Sequence, residues 1–387
     1  MNNTNRFLLR ILSYVLVAAI ASVLTLAIWG EKYSKIEELK SVIEDYFIGE
    51  ADMTKAEDAA AAAMIYALGD KWSYYISAED YAAHMENKNN IYVGIGITIT
   101  VREDGTGEDI IGVSPGSSAQ EAGILPGDIL IKVDGQSIAG MDSDQVSTLV
   151  RGEEGTSLTV TVLRDGAEKE FSLKRQTIHV QVATSELLTG NIGLIRINNF
   201  NANCAKETIA AIEELQKQGA DKLIFDVRNN PGGYVSEMLD VLDYLLPEGV
   251  LYRDLDCYGR EGEKKSDASC LKLPMAVLVN GNSYSAAEFF AACLQEKQWA
   301  TVVGENTTGK GHYQNTIRLE DGSAVNLSTG KYFTPNGVNL TETGGIVPDL
   351  IETVDEQTAA LIYAGTVSAA EDAQIQAAVK YLQENKG

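Results

Sequence analysis

Histidine, cysteine and positive charge are all in short supply in this 387-residue chain, and each shortage removes a class of function. Four cysteines are too few for a disulfide scaffold. With 31 Lys and Arg against 55 Asp and Glu, the net charge of −24 leaves no basic field for phosphates. That excludes nucleic-acid binding as the main task. There is no C-x-x-C pair, no HExxH and no P-loop, so the usual metal and nucleotide signatures are missing. Internal repeats and low-complexity tracts are absent too. What remains is an ordinary globular profile, 45% apolar and 22% charged, in a length that suggests two or three domains.

Ile11–Trp29 runs 19 residues without a charge, just enough to cross a hydrocarbon core of about 30 Å as a helix. Arg6 and Arg10 precede it, and no acidic residue occurs before Glu31. The positive-inside rule then places the first ten residues in the cytoplasm and the remainder outside. Ala19-Ile20-Ala21 resembles a signal-peptide cleavage site, but apolar residues continue beyond it, and a retained anchor is the favoured reading. The expectation is a single-pass protein of the cell membrane with an extracytoplasmic folded part, or a secreted form if the segment is cleaved. Cys257 and Cys270 flank a polar stretch and could pair there or stay free; Cys204 and Cys293 fall in helical patterns and read as core.

Helices are expected over Lys35–Phe47 and Thr54–Leu68, the second with Thr54 and Glu57 as a capping box and Gly69 as its stop. From Ile91 the apolar period changes. Val93-Gly94-Ile95-Gly96-Ile97 leads into a strand, Leu158, Val160 and Val162 alternate with polar residues, and Val146, Leu149 and Val150 share one face of a short helix. This compact module ends near Arg175. From Gly190, strands at Ile192–Ile197, Lys222–Asp226, Pro274–Val279 and Thr301–Val303 alternate with helices at Lys206–Gln218, Tyr234–Leu246 and Ser285–Gln298. That alternation argues for a partly parallel sheet with helical crossovers. The tail from Asp355 carries an amphipathic helix ending near Leu382.

Three segments of the βα region have the composition of a site. In Val279–Glu288 a strand ends, small residues turn, and a helix begins at Ser283 or Ser285. A serine there faces unpaired N–H groups that favour an oxyanion, or is simply an N-cap with Glu288 completing a capping box. In Asp226-Val227-Arg228-Asn229-Asn230-Pro231-Gly232-Gly233, two glycines let backbone N–H groups approach a ligand; a plain strand-to-helix turn fits equally. In Gly309-Lys310-Gly311-His312-Tyr313-Gln314, a lysine between glycines could be a buried general base or an exposed loop residue. Bringing its pKa from about 10.4 to about 7 takes roughly 4–5 kcal/mol of differential solvation, which only a water-poor site supplies. His84, His179 and His312 have no telling neighbours for a Ser–His–Asp triad, so a Ser–Lys dyad is the better internal candidate.

At these residues the chain resembles the C-terminal processing (tail-specific) serine proteases, which couple a PDZ domain to a Ser–Lys catalytic core. The likeness runs from LGDKWSYYISAEDY through the PGD and VDG turns and DVRNNPGG to KYFTPNG and GGIVPD. Ser285 and Lys310 stand 25 residues apart with Gln314 four further on, in the family's order. The resemblance implies a multidomain α+β chain in which a PDZ domain precedes a crotonase/ClpP-like βα protease core, with an N-terminal membrane helix and flanking helices. Its parts would be a cytoplasmic stub and anchor (1–30), a helical region (31–90), the PDZ domain (91–175), the core (176–353) and a C-terminal helical region (354–387).

The same resemblance implies Ser285 as nucleophile, Lys310 as general base and Gln314 as its orienting partner, with an oxyanion hole from the N–H groups of Gly233 and Ala286. Val93, Gly94, Ile95 and Gly96 would receive a peptide carboxylate, Val146, Leu149 and Val150 would line the groove for its last side chain, and Arg151 matches an arginine that links peptide capture to the catalytic groups. One departure is Tyr284, bulky where the family has a small residue. No cofactor or metal is implied. Partners would be protein or peptide substrates with free C-termini, and a second copy through the flanking helices. A catalytically silent peptide-binding scaffold on the same fold is the alternative.

Overall fold

The computed structural model describes residues 14–17, 19–20, 35–102 and 104–385. Of the apolar segment Ile11–Trp29 only residues 14–17 and 19–20 are among them, and among the described residues no helix is long and apolar enough to cross a membrane. The chain divides into two compact units, residues 1–75 and 76–387.

In the first unit a helix spans 35–46 and a second spans Met53–Tyr66. The cap of the second lies two residues before Thr54, the expected one. Asp52 is its N-cap, the carboxylate accepting from the Lys55 N–H at 3.1 Å, which leaves Thr54 inside the first turn. Met53–Tyr66 buries none of its residues, and Ile36, Leu39, Val42, Met64 and Leu68 are all exposed.

The second unit contains two six-stranded sheets and smaller ones. The module after Ile91 is antiparallel. Ile97–Val101, Glu108–Val113, Ile129–Val133, Ser157–Arg164 and Ala167–Lys174 lie side by side in that order, around a core of Ile110, Leu130, Val160 and Val162. Ile97–Val101 is the terminal strand of this sheet and pairs only with Glu108–Val113 among the described residues.

The larger body is a six-stranded sheet in the order Ala183–Leu188, Ile192–Ile197, Lys222–Asp226, Met275–Val279, Ala300–Gly304, Leu350–Ile351. Its first pair is antiparallel and the rest are parallel, so this part is α/β while the smaller module keeps the α+β character. The strands are apolar on both faces because both are covered. Leu223 and Phe225 face helices Cys204–Lys217, Val235–Leu245 and Ala286–Glu296. Ile224, with Ile192, Leu194, Ala276, Leu278 and Val303, faces the tail helix through Ile375, Ala378, Val379 and Leu382.

The tail carries the expected helix as Ala373–Glu384, capped by Asp372, with a shorter helix, Glu356–Tyr363, before it. Finally, His312–Arg318 and Ala324–Phe333 form an antiparallel hairpin that also pairs with Gly249–Asp256. All four cysteines are free, Cys204 and Cys293 buried, so the Cys257–Cys270 pairing is not made.

Candidate active site

The adjacent parallel strands Lys222–Asp226 and Met275–Val279 end side by side, and the turns that follow them meet. This is the carboxyl edge of a parallel sheet, where open α/β folds place their ligands. Ser283 and Ser285, left open as alternatives by the sequence, separate clearly. Ser283 is fully buried; its hydroxyl donates to the Val227 carbonyl at 2.7 Å and accepts the Asn280 N–H at 3.0 Å. It is a structural clamp between the two turns. Ser285 is half-buried at the tip of helix Ala286–Glu296, with φ 60° and ψ −126°, and its side chain makes no capping bond. A non-glycine residue held at positive φ is strained, and such strain persists only where surrounding structure enforces it. The capping role expected of the Ser285 hydroxyl is not taken up, and Glu288 is committed to the lysine turn.

The NNPGG turn is locked against this tip. The Asn230 carbonyl accepts the Tyr284 N–H at 3.2 Å, and Asn280 exchanges hydrogen bonds with Asn229. Asn230, fully buried, donates to the Ile197 carbonyl and accepts the Gly232 N–H at 2.8 Å. Gly232 has φ +86°, and a Cβ there would come within 2.8 Å of both the Ala286 nitrogen and Ser285 Cβ. Gly233 bridges to Phe200, whose carbonyl carbon a Cβ would meet at 2.2 Å. With the Gly232 N–H engaged by Asn230, Gly233 is the glycine of the pair whose N–H has no protein acceptor among the described residues.

Lys310 is only 8% exposed. Its turn hangs on Glu288, a fully buried carboxylate on the serine's own helix. Glu288 accepts the N–H groups of Gly309 at 2.7 Å and Lys310 at 2.9 Å, and the Thr307 hydroxyl as well. Burial pushes the Glu288 carboxyl upward from its ordinary pKa, and these donors pull it back part of the way. Lys310 Nζ lies 5.9 Å from the centre of the Tyr284 ring, so the residue that departs from the family pattern walls the lysine. Gln314 is half-buried on the following strand; its amide nitrogen donates to the His312 carbonyl and to Ser328 Oγ, each at 3.0 Å. It makes no hydrogen bond to Lys310 in this arrangement. Tyr332, which sequence reasoning passed over, donates its phenol proton to the Lys310 carbonyl. Among the described residues no group of His, Cys, Asp and Glu could hold a metal ion.

In the smaller module Gly94, Ile95 and Gly96 are buried and Val93 half-buried where the chain enters the terminal strand. Val146 and Val150 face the module's own core, and of the three helix residues only Leu149 keeps partial exposure. Arg151 is exposed, its guanidinium 5.3 Å from the Tyr92 ring centre. The arginine that organises this helix is Arg175, also missed, which donates to the last carbonyls of the helix at Leu149 (3.0 Å) and Val150 (2.9 Å). A lone arginine at a module's end carries no sequence signal for that role; Tyr332 and Glu288 lay inside motifs read for other purposes.

Comparison with known proteins agrees with this geometry. Residues 191–353 match the model of peptidase family S41, and residues 110–164 match a PDZ domain. The carboxy-terminal processing protease CtpA of Bacillus subtilis (strain 168) is 34% identical over 342 residues, covering 84% of this chain and 72% of that one. A chain of Staphylococcus epidermidis (strain ATCC 12228), provisionally assigned as a CtpA-like serine protease, is 32% identical over 361 residues, covering 89% and 72%. A solved structure from Bacteroides fragilis, provisionally assigned as an S41 protease, superposes with a TM-score of 0.51 at 18% identity, over 79% of this chain and 88% of that one, which speaks to fold alone.

Proposed function

The chain belongs to peptidase family S41, the C-terminal processing serine proteases, and on that footing we propose that it is a membrane-anchored, extracytoplasmic endopeptidase that cleaves the C-terminal regions of protein substrates through Ser285 and Lys310. One observation carries the chemistry: a strained serine, unused as a cap, sits at a helix tip whose own buried Glu288 holds the turn of a buried lysine.

Burial is the condition under which an amine is neutral near neutral pH. The Lys310 amine takes the Ser285 proton as Oγ attacks the scissile carbonyl carbon. The resulting oxyanion is met by the N–H groups of Ala286 and Gly233. As the tetrahedral adduct collapses, the Lys310 ammonium gives its proton to the leaving amine, and water then repeats the sequence on the acyl-enzyme. Gln314, its Nε2 held by the His312 carbonyl and Ser328, orients the lysine amine.

The smaller module captures the substrate's C-terminus. Its open strand edge at Ile97–Val101 supports addition of a peptide strand, with the Val93–Gly96 segment at the carboxylate. The apolar segment Ile11–Trp29 tethers the enzyme beside substrates of the same membrane face. The exposed apolar residues of helices 35–46 and Met53–Tyr66 support pairing with a second copy.

The test is cleavage of an unstructured protein with an apolar C-terminus, comparing the unmutated protein with Ser285→Ala and Lys310→Ala. Cleavage by the first alone is expected. An intact substrate, or equal cleavage by all three, refutes the Ser–Lys mechanism.

A further inference from the structure

Helix Ala78–Lys88 takes no part in the chemistry described above, yet its end is tied to the oxyanion turn. The tie runs through residues 200–202. The Lys88 carbonyl accepts the Ala202 N–H at 3.1 Å, and Asn201 Nδ2 donates to the Asn87 carbonyl at 3.2 Å. Phe200 in turn donates its N–H to the Gly232 carbonyl at 2.8 Å and accepts the Tyr234 N–H at 2.7 Å. The Lys88 side chain follows the same course: Nζ lies 5.7 Å from the centre of the ring of Tyr234, the residue directly after Gly233. About two turns back on the same helix face, the Tyr81 ring centre lies 4.8 Å from the guanidinium carbon of Arg318, on the strand that carries Gln314. The face that bears Lys88 therefore reaches from the Gln314 strand to the oxyanion turn.

Lys88 is half-buried, and among the described residues no carboxylate forms an ion pair with it. Glu79 and Asp80 lie in the first turn of the helix, at its far end. Glu237, one turn past Tyr234, is occupied by the Ala205 N–H at 2.8 Å. Burial lowers the Lys88 amine below its ordinary pKa, and no anion works against that. The Tyr234 ring is a weak substitute, close to the limit of about 6 Å at which a ring face still attracts a cation. That ring is exposed, which leaves the amine approachable from the side of the turn.

We propose that Lys88 forms a subsite for an acidic side chain of the substrate, an Asp or Glu close to the scissile bond, and so sets a charge preference for cleavage. The proposal rests on the reading of Ser285 as nucleophile with its oxyanion at Gly233. A carboxylate docked on the ammonium restores to Lys88 the charge stabilisation that burial removes. It also fixes the register of the peptide. With a net charge of −24, the protein as a whole repels an acidic side chain, and a cation beside the reacting turn gives that side chain one favourable place. The subsite is separate from capture of the C-terminus, which falls to the smaller module.

The full-length protein in detergent is given a set of internally quenched peptides that share an apolar C-terminus. A single Glu, or Gln in its place, is moved one residue at a time along both sides of the cut, which mass spectrometry locates. At one of these positions Glu is expected to raise kcat/KM about tenfold over Gln, the worth of a hydrogen bond to a charged group. Lys88→Gln should bring that ratio to about one, and Lys88→Glu should replace it with a preference for Lys at the same position. Each ratio is taken within one protein, so a general loss of activity in a variant cancels. A parent ratio near one at every position, or a ratio that Lys88→Gln and Lys88→Glu both leave unchanged, overturns the subsite and leaves the peptidase reading standing. No cleavage by the parent, or cleavage that survives Ser285→Ala, overturns the peptidase reading itself, and the subsite with it.

Discussion

Asp372→Asn should destabilise the second unit by about 2–3 kcal/mol, though residue 372 lies in the tail and far along the chain from the catalytic turns. The reason is Arg228, in the DVRNNPGG segment, whose side chain is 3% exposed. Asp226 grips it through Nε (2.9 Å) and Nη2 (2.6 Å); Asp372 grips it through Nη1 (3.1 Å) and Nη2 (2.8 Å); and Gln374 adds an acceptor at 2.8 Å. Burial works against the guanidinium charge, but the two carboxylates outweigh it and hold Arg228 above its ordinary pKa. Orphaning a buried charge outright costs about 3–5 kcal/mol. Arg228 would keep Asp226 and Gln374, which places the loss below that range.

Asparagine is also an effective N-cap, so helix Ala373–Glu384 keeps the bonds that Asp372 accepts from Gln374 and Ile375. Asp372→Ala removes cap and ion pair together and should cost about 1 kcal/mol more. Urea unfolding followed by Trp299 fluorescence reads both losses. Proteolysis of the tail under native conditions should accelerate in the same order, because this helix covers one face of the central sheet. If Asp372→Asn loses no more than about 0.5 kcal/mol, the pair behaves like a solvated surface contact and the argument from burial is wrong.

Gly232→Ala, which places a methyl 2.8 Å from the Ala286 nitrogen at φ +86°, should lower peptidase activity by about a hundredfold while leaving the protein folded, as turnover and circular dichroism would report. Retained activity would mean that the NNPGG turn does not set the oxyanion geometry. A lysine base predicts activity rising from neutral toward mildly alkaline pH, and a flat kcat/KM profile between about pH 6 and 9 would count against it. A thiol reagent should titrate Cys257 and Cys270 in the native protein but spare Cys204, whose thiol burial pushes up to about 12, and Cys293, raised by the same cause. Four reactive thiols before unfolding would contradict the packing described for helices Cys204–Lys217 and Ala286–Glu296.

Local chemistry was legible from the amino acids alone. Strands Ile192–Ile197 and Lys222–Asp226 appear where the apolar runs placed them, because a run bounded by turn residues and followed by a helical period has few other solutions. The same holds for the serine at a strand-to-helix junction and the glycine pair that lets another backbone come close, since each depends on neighbours within a turn.

What only the folded chain decided are the meetings between distant segments. Sequence spacing could not tell Ser283 the clamp from Ser285 the strained tip, nor show that Glu288 carries the lysine turn. Val146 and Val150 lie on one helical face in either reading, but whether that face meets a groove or a core depends on the sheet beneath it. Arg228 finds Asp372 across 144 residues, and Tyr332 finds the Lys310 carbonyl across 22. A buried phenol or carboxylate looks the same in sequence whether it packs, caps or positions. Its role is fixed by the acceptor that tertiary closure sets beside it.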